Sequence, residues 1–442
     1  MFELCEVRKC DCLVVGSGPA GSAAAMEMAH AGLDVVVIDR EEFPRFRIGE
    51  SFLPRTKRAF RRLGVLDRCL ALPHARKVGV EITMGDRRYG ARAFHFADTV
   101  GNGEKDAFNM ARVHLDTMMV QAARESGAEV RTSCSLRRTV CRDDDGVEVE
   151  TDRGNIRARW LIDASGQATA LGREFGTRRY HSFLRNVAYF EHFEGVKRPD
   201  GPAAGCFGLT IMDEGWFWLI PLDDQRTSVG FVAREGLHRT IDVPADERFW
   251  WAVERTPVLA ERMRNARGPG KNRVIADFTY RCDPFAGPGF FLVGDAAAFL
   301  DPVWSTGLTM GLLAAEQAAA GVIRMSRGSS ARRERARYQA WAARVVNRAF
   351  RLVEGFYDPS FRDLLFAPRQ PRALIRGFVT LLAGEFDAMQ ASTAVRTVAL
   401  QSLCRVQRRV GFAPRIRPFR LMDGESRPRA AIARLGRGQP ES

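Results

Sequence analysis

Long apolar runs are missing from this chain of 442 residues. None approaches the roughly 18 to 20 uninterrupted apolar residues that a membrane-spanning helix requires. The N-terminus also lacks the separate apolar core and cleavage site of a signal peptide, because residues 10–15 are better explained as the first strand of the fold. We therefore expect no membrane span and a cytoplasmic location.

Metal-site spacing is missing as well. Nine cysteines are scattered along the chain without the paired arrangement that a zinc site or iron–sulfur site requires. An odd number of cysteines in a chain without a secretion signal also argues against a disulfide framework. The sequence therefore predicts no bound metal ion and no set of disulfides.

Lysine is absent from the last quarter of the chain, residues 331–442, which holds 22 arginines and nine acidic residues. This quarter accounts for most of the net charge of +14. One interpretation is a set of solvated helix faces, which is what runs of charge usually are. The other is a surface for an acidic partner, such as an acidic carrier protein. Because no nucleic-acid-binding motif accompanies the arginines, we expect no nucleic acid partner.

The order of apolar and polar residues predicts a mixed α/β (α+β) fold. Residues 12–16 and 34–38 have the pattern of buried strands, and an alanine-rich helix between them ends near residue 30, which together make a βαβ unit. A period-2 pattern rich in aromatic residues at 178–234 predicts an antiparallel sheet. Helical patterns cover 306–324 and most of 331–409.

These patterns divide the chain into three parts. We expect a Rossmann-type domain from residues 1–177 and 270–328, whose sheet is assembled from dispersed segments. An antiparallel β domain for the substrate follows at 178–269. A helical, arginine-rich C-terminal region takes up residues 329–442.

A glycine motif opens the helix of the βαβ unit, with the spacing G-x-G-x-x-G: Gly16, Gly18 and Gly21. The first glycine permits a tight turn, the second lets the backbone approach a pyrophosphate, and the third allows close packing of helix against strand. Ser17 and Ala20 complete the turn, whose N–H groups and helix dipole would face the phosphates. Asp39 ends the next strand and would accept hydrogen bonds from a ribose.

A second carboxylate, far along the chain, distinguishes between dinucleotides. Asp295 follows an apolar strand at 290–293, and a helix begins beyond it near Thr306. A carboxylate there is suited to the ribityl hydroxyls of a flavin and has no role in an NAD dehydrogenase. Since no second G-x-G-x-x-G motif is present for NADPH, we expect FAD that is reduced outside this protein.

Four segments resemble those of the flavin-dependent halogenases, which are relatives of the aromatic hydroxylases and geranylgeranyl reductases. They are FPRFRIGESFLP at 43–54, RKVG at 76–79, WFWLIP at 216–221 and DPVWSTGL at 301–308. The family patterns are F-P-R-x-x-I-G-E-S-x-L-P, K-x-G, W-x-W-x-I-P and D-P-x-x-S-(S/T)-G-(V/I), and the resemblance runs to about residue 385. Leu308 departs from the last pattern. Trp304 stands where tryptophan-specific members have a glutamate, which favours the phenol and carrier-bound pyrrole branches.

The resemblance implies that reduced FAD, oxygen and chloride or bromide generate hypohalous acid, which travels to a lysine beside the substrate. Lys77 would be that catalytic lysine, unless it is an exposed surface lysine. Ser305 would orient the attacking halide or merely cap the helix. The halide would bind at Thr306 and Gly307, whose N–H groups at a helix start can stabilise a desolvated anion.

Further contacts with the flavin are implied for Arg47, Glu50, Arg112 and Leu308. For Arg112 a structural salt bridge with Asp116 is the rival interpretation. By the same resemblance, the flavin and the substrate would be separated by three residues of one segment: Trp216, Trp218 and Pro221. The two tryptophans lie two apart on a predicted strand and so share a face, which plain aromatic packing would also explain.

The function implied is halogenation of an electron-rich aromatic compound in secondary metabolism, with a separate flavin reductase as partner. The substrate would be a phenol or pyrrole, either free or bound to an acidic carrier protein. Two other functions stay open at this point. One is an FAD-dependent monooxygenase or a geranylgeranyl-reductase-like enzyme on the same scaffold, and the other is a non-catalytic flavin protein with a basic interaction tail.

Overall fold

The computed structural model describes residues 7–100, 103–143, 145–276, 279–370, 372–385 and 391–423. Residues 424–442, the end of the predicted helical region, lie outside this range. The strands are β1 Arg8–Val15, β2 Val35–Ile38, β3 Ala75–Lys77, β4 Gly79–Met84, β5 Arg92–His95, β6 Ala107–Asn109, β7 Glu129–Arg131, β8 Leu136–Arg142, β9 Val147–Thr151, β10 Gly154–Asp163, β11 Arg178–Tyr180, β12 Val187–Glu194, β13 Cys206–Ile211, β14 Gly215–Pro221, β15 Arg226–Ala233, β16 Arg273–Ala276, β17 Tyr280–Cys282, β18 Ala286–Gly287, β19 Phe290–Leu292 and β20 Ala298–Phe299.

The α-helices are α1 Pro19–His30, α2 Pro54–Arg62, α3 Leu66–Leu70, α4 Arg112–Glu125, α5 Ala170–Glu174, α6 Leu237–Thr240, α7 Arg248–Arg255, α8 Pro257–Arg262, α9 Gly307–Ser326, α10 Ala331–Phe356, α11 Pro359–Leu365, α12 Arg372–Leu382 and α13 Ala391–Val410. Short 3₁₀ turns join several of them, including Pro302–Trp304 before α9. Along the described ranges, no helix has both the length and the apolar character needed to cross a bilayer.

The first sheet has the strand order β18-β19-β10-β1-β2-β7, and β19, β10, β1, β2 and β7 run parallel. The N-terminal half of β10 also pairs with β9 in the antiparallel sense, and β9 pairs with β8. The valines and isoleucine of β2 are all buried, as expected when helices cover both faces of a parallel sheet. The predicted βαβ unit and the assembly of this sheet from dispersed segments are confirmed.

Small residues bring α1 and α9 close together over this sheet. A Cβ atom on Gly311 of α9 would lie 3.4 Å from the Cβ atom of Ala20 in α1, and one on Gly294 would lie at the same distance. A larger side chain at either glycine would push the two helices apart. The N-terminus of α9 is thereby held beside the glycine turn that precedes α1.

The second sheet has seven strands in the order β16-β12-β15-β14-β13-β4-β5. All neighbours are antiparallel except β13 and β4, which run parallel. Strands β4, β5 and β16 come from outside residues 178–269, so the sheet is broader than the segment whose pattern indicated it. The division of the chain at those boundaries stays a prediction.

The side chains on the two faces of β14 pack into different hydrophobic clusters. Trp216 and Trp218 belong to the large cluster that includes the first sheet and α9. Phe217 and Leu219 point to the other side, into a smaller cluster that α7 and α8 cover. Alternation along the strand therefore aims both tryptophans at the interior shared with the dinucleotide-binding domain.

Four helices form most of the C-terminal region. The predicted interruptions at 358–359 and 368–371 separate α10 from α11 and α11 from α12. Asp358 caps α11 by accepting a hydrogen bond from the backbone N–H of Ser360, and Pro359 takes the first helical position, where its missing N–H costs nothing.

Candidate active site

The glycine turn has the geometry that its spacing predicts. Gly16 has φ of +100°, and a Cβ atom there would lie 2.4 Å from the carbonyl oxygen of Ala164. A Cβ atom on Gly21 would lie only 1.9 Å from the carbonyl oxygen of Gly16. The turn therefore accepts no side chain at either position. Gly18 precedes α1 in an extended conformation.

Asp39 is bound to this turn. Its Oδ2 atom accepts hydrogen bonds from the backbone N–H and the hydroxyl of Ser17, at 2.7 and 2.9 Å. Its Oδ1 atom accepts one from the backbone N–H of Glu41 at 3.0 Å. The structure thus brings together Ser17 and Asp39, 22 residues apart, at the carboxyl ends of β1 and β2, where ligands of open α/β sheets bind.

Arg45 lies over the glycine turn, and the sequence analysis did not select it. Its Nη2 atom is 3.6 Å from the position of a Cβ on Gly18. Asp116 and Glu41 form ion pairs with it at 3.2 Å, yet its buried Nε and Nη1 atoms make no hydrogen bond within the described part of the chain. A buried guanidinium with donor capacity beside a glycine turn suits the pyrophosphate of FAD.

Arg47, the arginine that the resemblance indicated, is more exposed than Arg45, and its contact with the flavin stays a prediction. Its Nη2 atom pairs with Glu41 at 2.5 Å, and its side chain is about two-fifths exposed, against 12% for Arg45. Both arginines pair with Glu41, so the difference between them is one of burial. The F-P-R motif itself contained Arg45 and was the one available signal.

Arg112, Glu50 and Asp295 lie near one another under this turn. Arg112 forms a two-pronged salt bridge with the buried Asp116, at 2.7 and 2.9 Å, so the structural interpretation of that pair is confirmed. Its Nη1 atom also donates to the carbonyl oxygen of Ile48 at 2.9 Å. Burial alone would lower the pKa of Arg112, but the carboxylates of Asp116, Asp295 and Glu50 raise it overall.

Glu50 is buried and has a partner that sequence reasoning missed. Its Oε1 atom lies 2.6 Å from Nε2 of His192 on β12. The His192 ring packs against Phe46 with 5.5 Å between ring centroids. No local pattern around His192 indicated this contact, because the two residues come together only when the second sheet packs on the segment 43–54.

Asp295 lies at the start of α9. Its Oδ1 atom is 3.8 Å from the position of a Cβ on Gly307, and the Tyr280 hydroxyl donates to its backbone oxygen at 2.9 Å. Burial raises the pKa of its carboxyl to about 6, although Arg112 opposes this. The side chain thus lies beside the N-terminus of α9.

The segment 301–308 turns sharply into α9. Asp301 caps the 3₁₀ turn by accepting a hydrogen bond from Val303 N–H at 3.2 Å. Ser305 follows in a left-handed conformation, with φ of +56°, and Thr306 is the N-cap residue of α9. The left-handed Ser305 thus ends the 3₁₀ turn just before α9, whose first N–H groups have no partner within the helix. Leu308 is half-buried in the first turn of the helix.

Trp304 packs into the C-terminal helices. Its indole N–H donates to the carbonyl oxygen of Leu352 at 3.1 Å, and its ring contacts Phe356 and Phe378 edge-on, at centroid distances of 5.4 and 5.3 Å. The helical C-terminal region therefore supports the turn that leads to Ser305.

Lys77 is completely buried, so the interpretation as a surface lysine is wrong. It ends β3, which pairs with β6, and the loop after α3 carries it inward. Its Nζ atom donates to the carbonyl oxygen of Phe52 at 2.9 Å and lies 4.5 Å from the ring centroid of Phe207. Burial lowers the pKa of the amine to about 7. Near neutral pH the side chain can therefore be present as an uncharged, nucleophilic amine.

Trp216 and Trp218 form a buried aromatic wall, with 5.9 Å between their ring centroids. The indole N–H of Trp218 donates to the Ser228 hydroxyl, and that of Trp216 to the Tyr357 hydroxyl, both at 3.1 Å. Pro221 closes β14 opposite Thr227. Both tryptophans are core residues, and their role as a partition between flavin and substrate stays a prediction.

Comparisons with known proteins agree with this architecture. The FAD binding domain family matches residues 9–353. The chain is 30% identical over 325 residues to the 1H-pyrrole-2-carbonyl-(peptidyl-carrier protein) brominase of Pseudoalteromonas luteoviolacea (strain 2ta16), covering 70% of this chain and 75% of that protein.

Two solved structures are also similar. The first, a flavoprotein/dehydrogenase from Cytophaga hutchinsonii, gives a TM-score of 0.81 at 27% identity and covers 91% of this chain and 99% of that one. The second, the flavin-dependent brominase Bmp2, gives a TM-score of 0.79 at 26% identity. This match covers 90% of this chain and 100% of the brominase. Fold, glycine turn and relatives together show that the chain belongs to the flavin-dependent halogenases, within the FAD binding domain family. It is an FAD-dependent halogenase, and the alternative of a non-catalytic flavin protein is therefore wrong.

Proposed function

We propose that this enzyme uses reduced FAD, oxygen and chloride or bromide to halogenate a phenol or pyrrole ring in secondary metabolism, with the reduced flavin supplied by a separate flavin reductase. The observation that carries the proposal is the buried amine of Lys77, which donates to the Phe52 carbonyl oxygen and lies over the Phe207 ring. Burial lowers the pKa of this amine to about 7. A cytoplasmic location remains a prediction from the sequence.

When bound, reduced FAD and oxygen supply the oxidising equivalents that convert halide to hypohalous acid. The glycine turn, Ser17 and Asp39 would hold the adenosine half of FAD, and Arg45 its pyrophosphate. Asp295 would accept hydrogen bonds from the ribityl chain, with Glu50 and Arg112 beside it. The N–H groups of Thr306 and Gly307 would bind the halide.

Lys77 would then direct the oxidant. Its amine either donates a hydrogen bond to hypohalous acid or attacks its halogen, forming an N–halogen bond and releasing water. The aromatic ring then takes the halogen from either species, loses a proton and regenerates the free amine in the second case. A neutral amine favours attack, and the surrounding rings exclude competing water.

Trp304 favours a phenol or pyrrole over free tryptophan. The position before Ser305 holds an indole packed among Phe356, Phe361 and Phe378, where tryptophan-specific family members have a glutamate. No carboxylate is therefore available from this residue to bind an indole N–H.

The exposed side of α13 suits a carrier protein that bears an acidic helix. Arg405, Arg408 and Arg409 are exposed there. The same helix exposes a row of apolar side chains with helical spacing: Val395, Val398, Val406 and Val410. An apolar stripe bordered by arginines complements a partner that has apolar side chains among acidic ones. The carrier-bound pyrrole of the Pseudoalteromonas brominase is consistent with such a partner.

The test combines the enzyme with FAD, a flavin reductase, NADH and either bromide or chloride. Three probes are offered: a simple phenol, a pyrrole-2-carbonyl thioester on a carrier protein, and free tryptophan. A halogen mass shift on the phenol or the pyrrole is expected. Oxygenated product that forms without halide would indicate a monooxygenase instead, and halogenation of tryptophan alone would contradict the proposed substrate class.

A further inference from the structure

A buried hydrogen-bonded chain connects the aromatic wall to the turn before α9. The indole N–H of Trp216 donates to the Tyr357 hydroxyl at 3.1 Å, and that hydroxyl donates to Oδ2 of Asp301 at 2.7 Å. Asn186 donates to the same carboxylate oxygen at 2.8 Å and lies 2.9 Å from the hydroxyl. The four residues come from β14, the end of α10, the 301–308 segment and the residue before β12.

The direction of donation along this chain is fixed by chemistry. An indole N–H can only donate, and a carboxylate can only accept. Burial raises the pKa of Asp301 to about 6, so above that pH it is a carboxylate and the single hydroxyl proton of Tyr357 points to it. The Tyr357 oxygen is then free to accept from Trp216. Burial raises the pKa of Tyr357, so the hydroxyl keeps its proton. Removal of this one hydroxyl would leave the indole N–H and the carboxylate without their shared partner.

The same carboxylate also shapes the turn. While Oδ2 of Asp301 takes the Tyr357 proton, its Oδ1 accepts from Val303 N–H and caps the turn that leads to Ser305 and Thr306. Tyr357 itself is held by an edge-on contact with Phe356, at 5.1 Å between centroids. One short path of hydrogen bonds thus joins the Trp216 ring to the turn that precedes α9.

We propose that Tyr357 is a positioning residue that fixes the indole of Trp216 relative to the 301–307 turn, and so keeps the oxidant formed beside that turn on its route to Lys77. This inference rests on the proposed function for its catalytic consequence. The structural claim, that Tyr357 fixes the position of the Trp216 indole, holds whether or not the enzyme halogenates its substrate.

The test uses the full chain loaded with FAD and compares Tyr357→Phe with the wild type. This substitution keeps the ring and removes only the hydroxyl. Tyr338→Phe is the matched control, because Tyr338 is a buried tyrosine within α10 whose hydroxyl donates to the carbonyl oxygen of Leu292 and not to the Trp216 network. Each protein is labelled with 5-fluorotryptophan. The Trp216 fluorine signal is the one that is missing from the spectrum of Trp216→Phe.

Two readouts decide the matter. In Tyr357→Phe the Trp216 fluorine signal should shift or broaden. The amount of halogenated product per reduced flavin consumed should fall about threefold. The missing oxidant should appear as free hypohalous acid, which a trap in solution captures. Tyr338→Phe should change neither. An unmoved fluorine signal would overturn the positioning role, and a shifted signal with an unchanged product ratio would overturn its catalytic consequence.

The outcome also separates this inference from the proposed function. If the wild type halogenated none of the three probes, the proposed substrate class would fail. The fluorine signal would still decide whether Tyr357 fixes Trp216, because it requires no substrate.

Discussion

The amine of Lys77 donates a hydrogen bond to the carbonyl oxygen of Phe52 at 2.9 Å, while the ring of Phe207 covers its other side at 4.5 Å. The first contact ties the lysine to the segment that also carries Glu50, and the second keeps water away from it. With a pKa lowered to about 7, this lysine gains or loses its proton near neutral pH, whereas a surface lysine stays protonated. The first two predictions concern this residue.

Lys77→Ala should retain FAD binding and the oxidation of reduced flavin but lose halogenated product about 100-fold or more, because the oxidant would no longer be directed to the substrate. Product mass and flavin absorbance measure the two steps separately. Lys197→Ala is the control, since Lys197 is an exposed lysine paired with Glu261. Undiminished halogenation in Lys77→Ala would remove this residue from the mechanism.

Lys77→Met should stabilise the fold in a pH-dependent way. Burial lowers the folded-state pKa of Lys77 from 10.5 to about 7, so the cost of burying the charge is fully present below pH 7 and disappears as the pH approaches 10.5. The gain in unfolding free energy should be on the order of a few kcal/mol larger at pH 6.5 than at pH 9.5. Denaturant unfolding at the two pH values measures it.

Lys77→Met also loses the hydrogen bond to Phe52, so the difference between the two pH values, and not the stability at one of them, reports the charge of Lys77. Lys197→Met should show no such difference. If the difference in unfolding free energy between Lys77→Met and the wild type were the same at both pH values, Lys77 would be charged in the folded protein at both.

Arg45→Ala should weaken FAD binding about tenfold or more, which corresponds to about 1.4 kcal/mol. The reason is that its buried guanidinium faces the glycine turn. Arg47→Ala, which removes an outward-pointing arginine paired with Glu41, should have a smaller effect. Fluorescence titration with FAD compares the two. A larger loss in Arg47→Ala would return the cofactor contact to the arginine that the sequence indicated.

Gly230→Ala should destabilise the second sheet by about 1 to 3 kcal/mol. A Cβ atom at Gly230 on β15 would lie 2.1 Å from the Trp218 ring, so the tryptophan or the strand must move. Gly236→Ala is the matched control, because a Cβ atom there meets nothing within 4 Å. Equal free energies of unfolding for the two variants would show that the Trp218 ring is loosely packed.

Reversing two charges on α13, as Arg405→Glu with Arg409→Glu, should raise KM for a carrier-bound substrate about tenfold and leave a free phenol unaffected. Steady-state kinetics at low and high salt measures this, because association driven by charge weakens as salt rises. Arg153→Glu, an exposed arginine in the β9–β10 turn, is the control. A salt-independent KM, unchanged by the double substitution, would leave α13 as an ordinary solvated surface.

Local patterns were sufficient for the βαβ unit, for the helix after residue 306 and for the breaks in the C-terminal region. The prediction of a helix at 306–324 differs from the observed Gly307–Ser326 by two residues at most, and the breaks beside Asp358 and Pro368 lie where they were expected. Such features follow from periodicity, caps and proline, which act over a few residues. The breadth of the second sheet did not follow, because the pairing of β4 with β13 joins segments more than a hundred residues apart.

The sequence alone determined the glycine turn and the strand that ends at Asp39, because short motifs encode backbone geometry directly. Lys77 and the tryptophan pair were indicated by the resemblance to the family. Tertiary structure decided which arginine faces the turn, that Lys77 is buried, and that Trp216 is bound through Tyr357 to Asp301. These properties depend on atoms supplied by distant segments: Trp216 and Tyr357 are 141 residues apart. Burial and hydrogen bonding are properties of the packed neighbourhood, which a linear pattern does not contain.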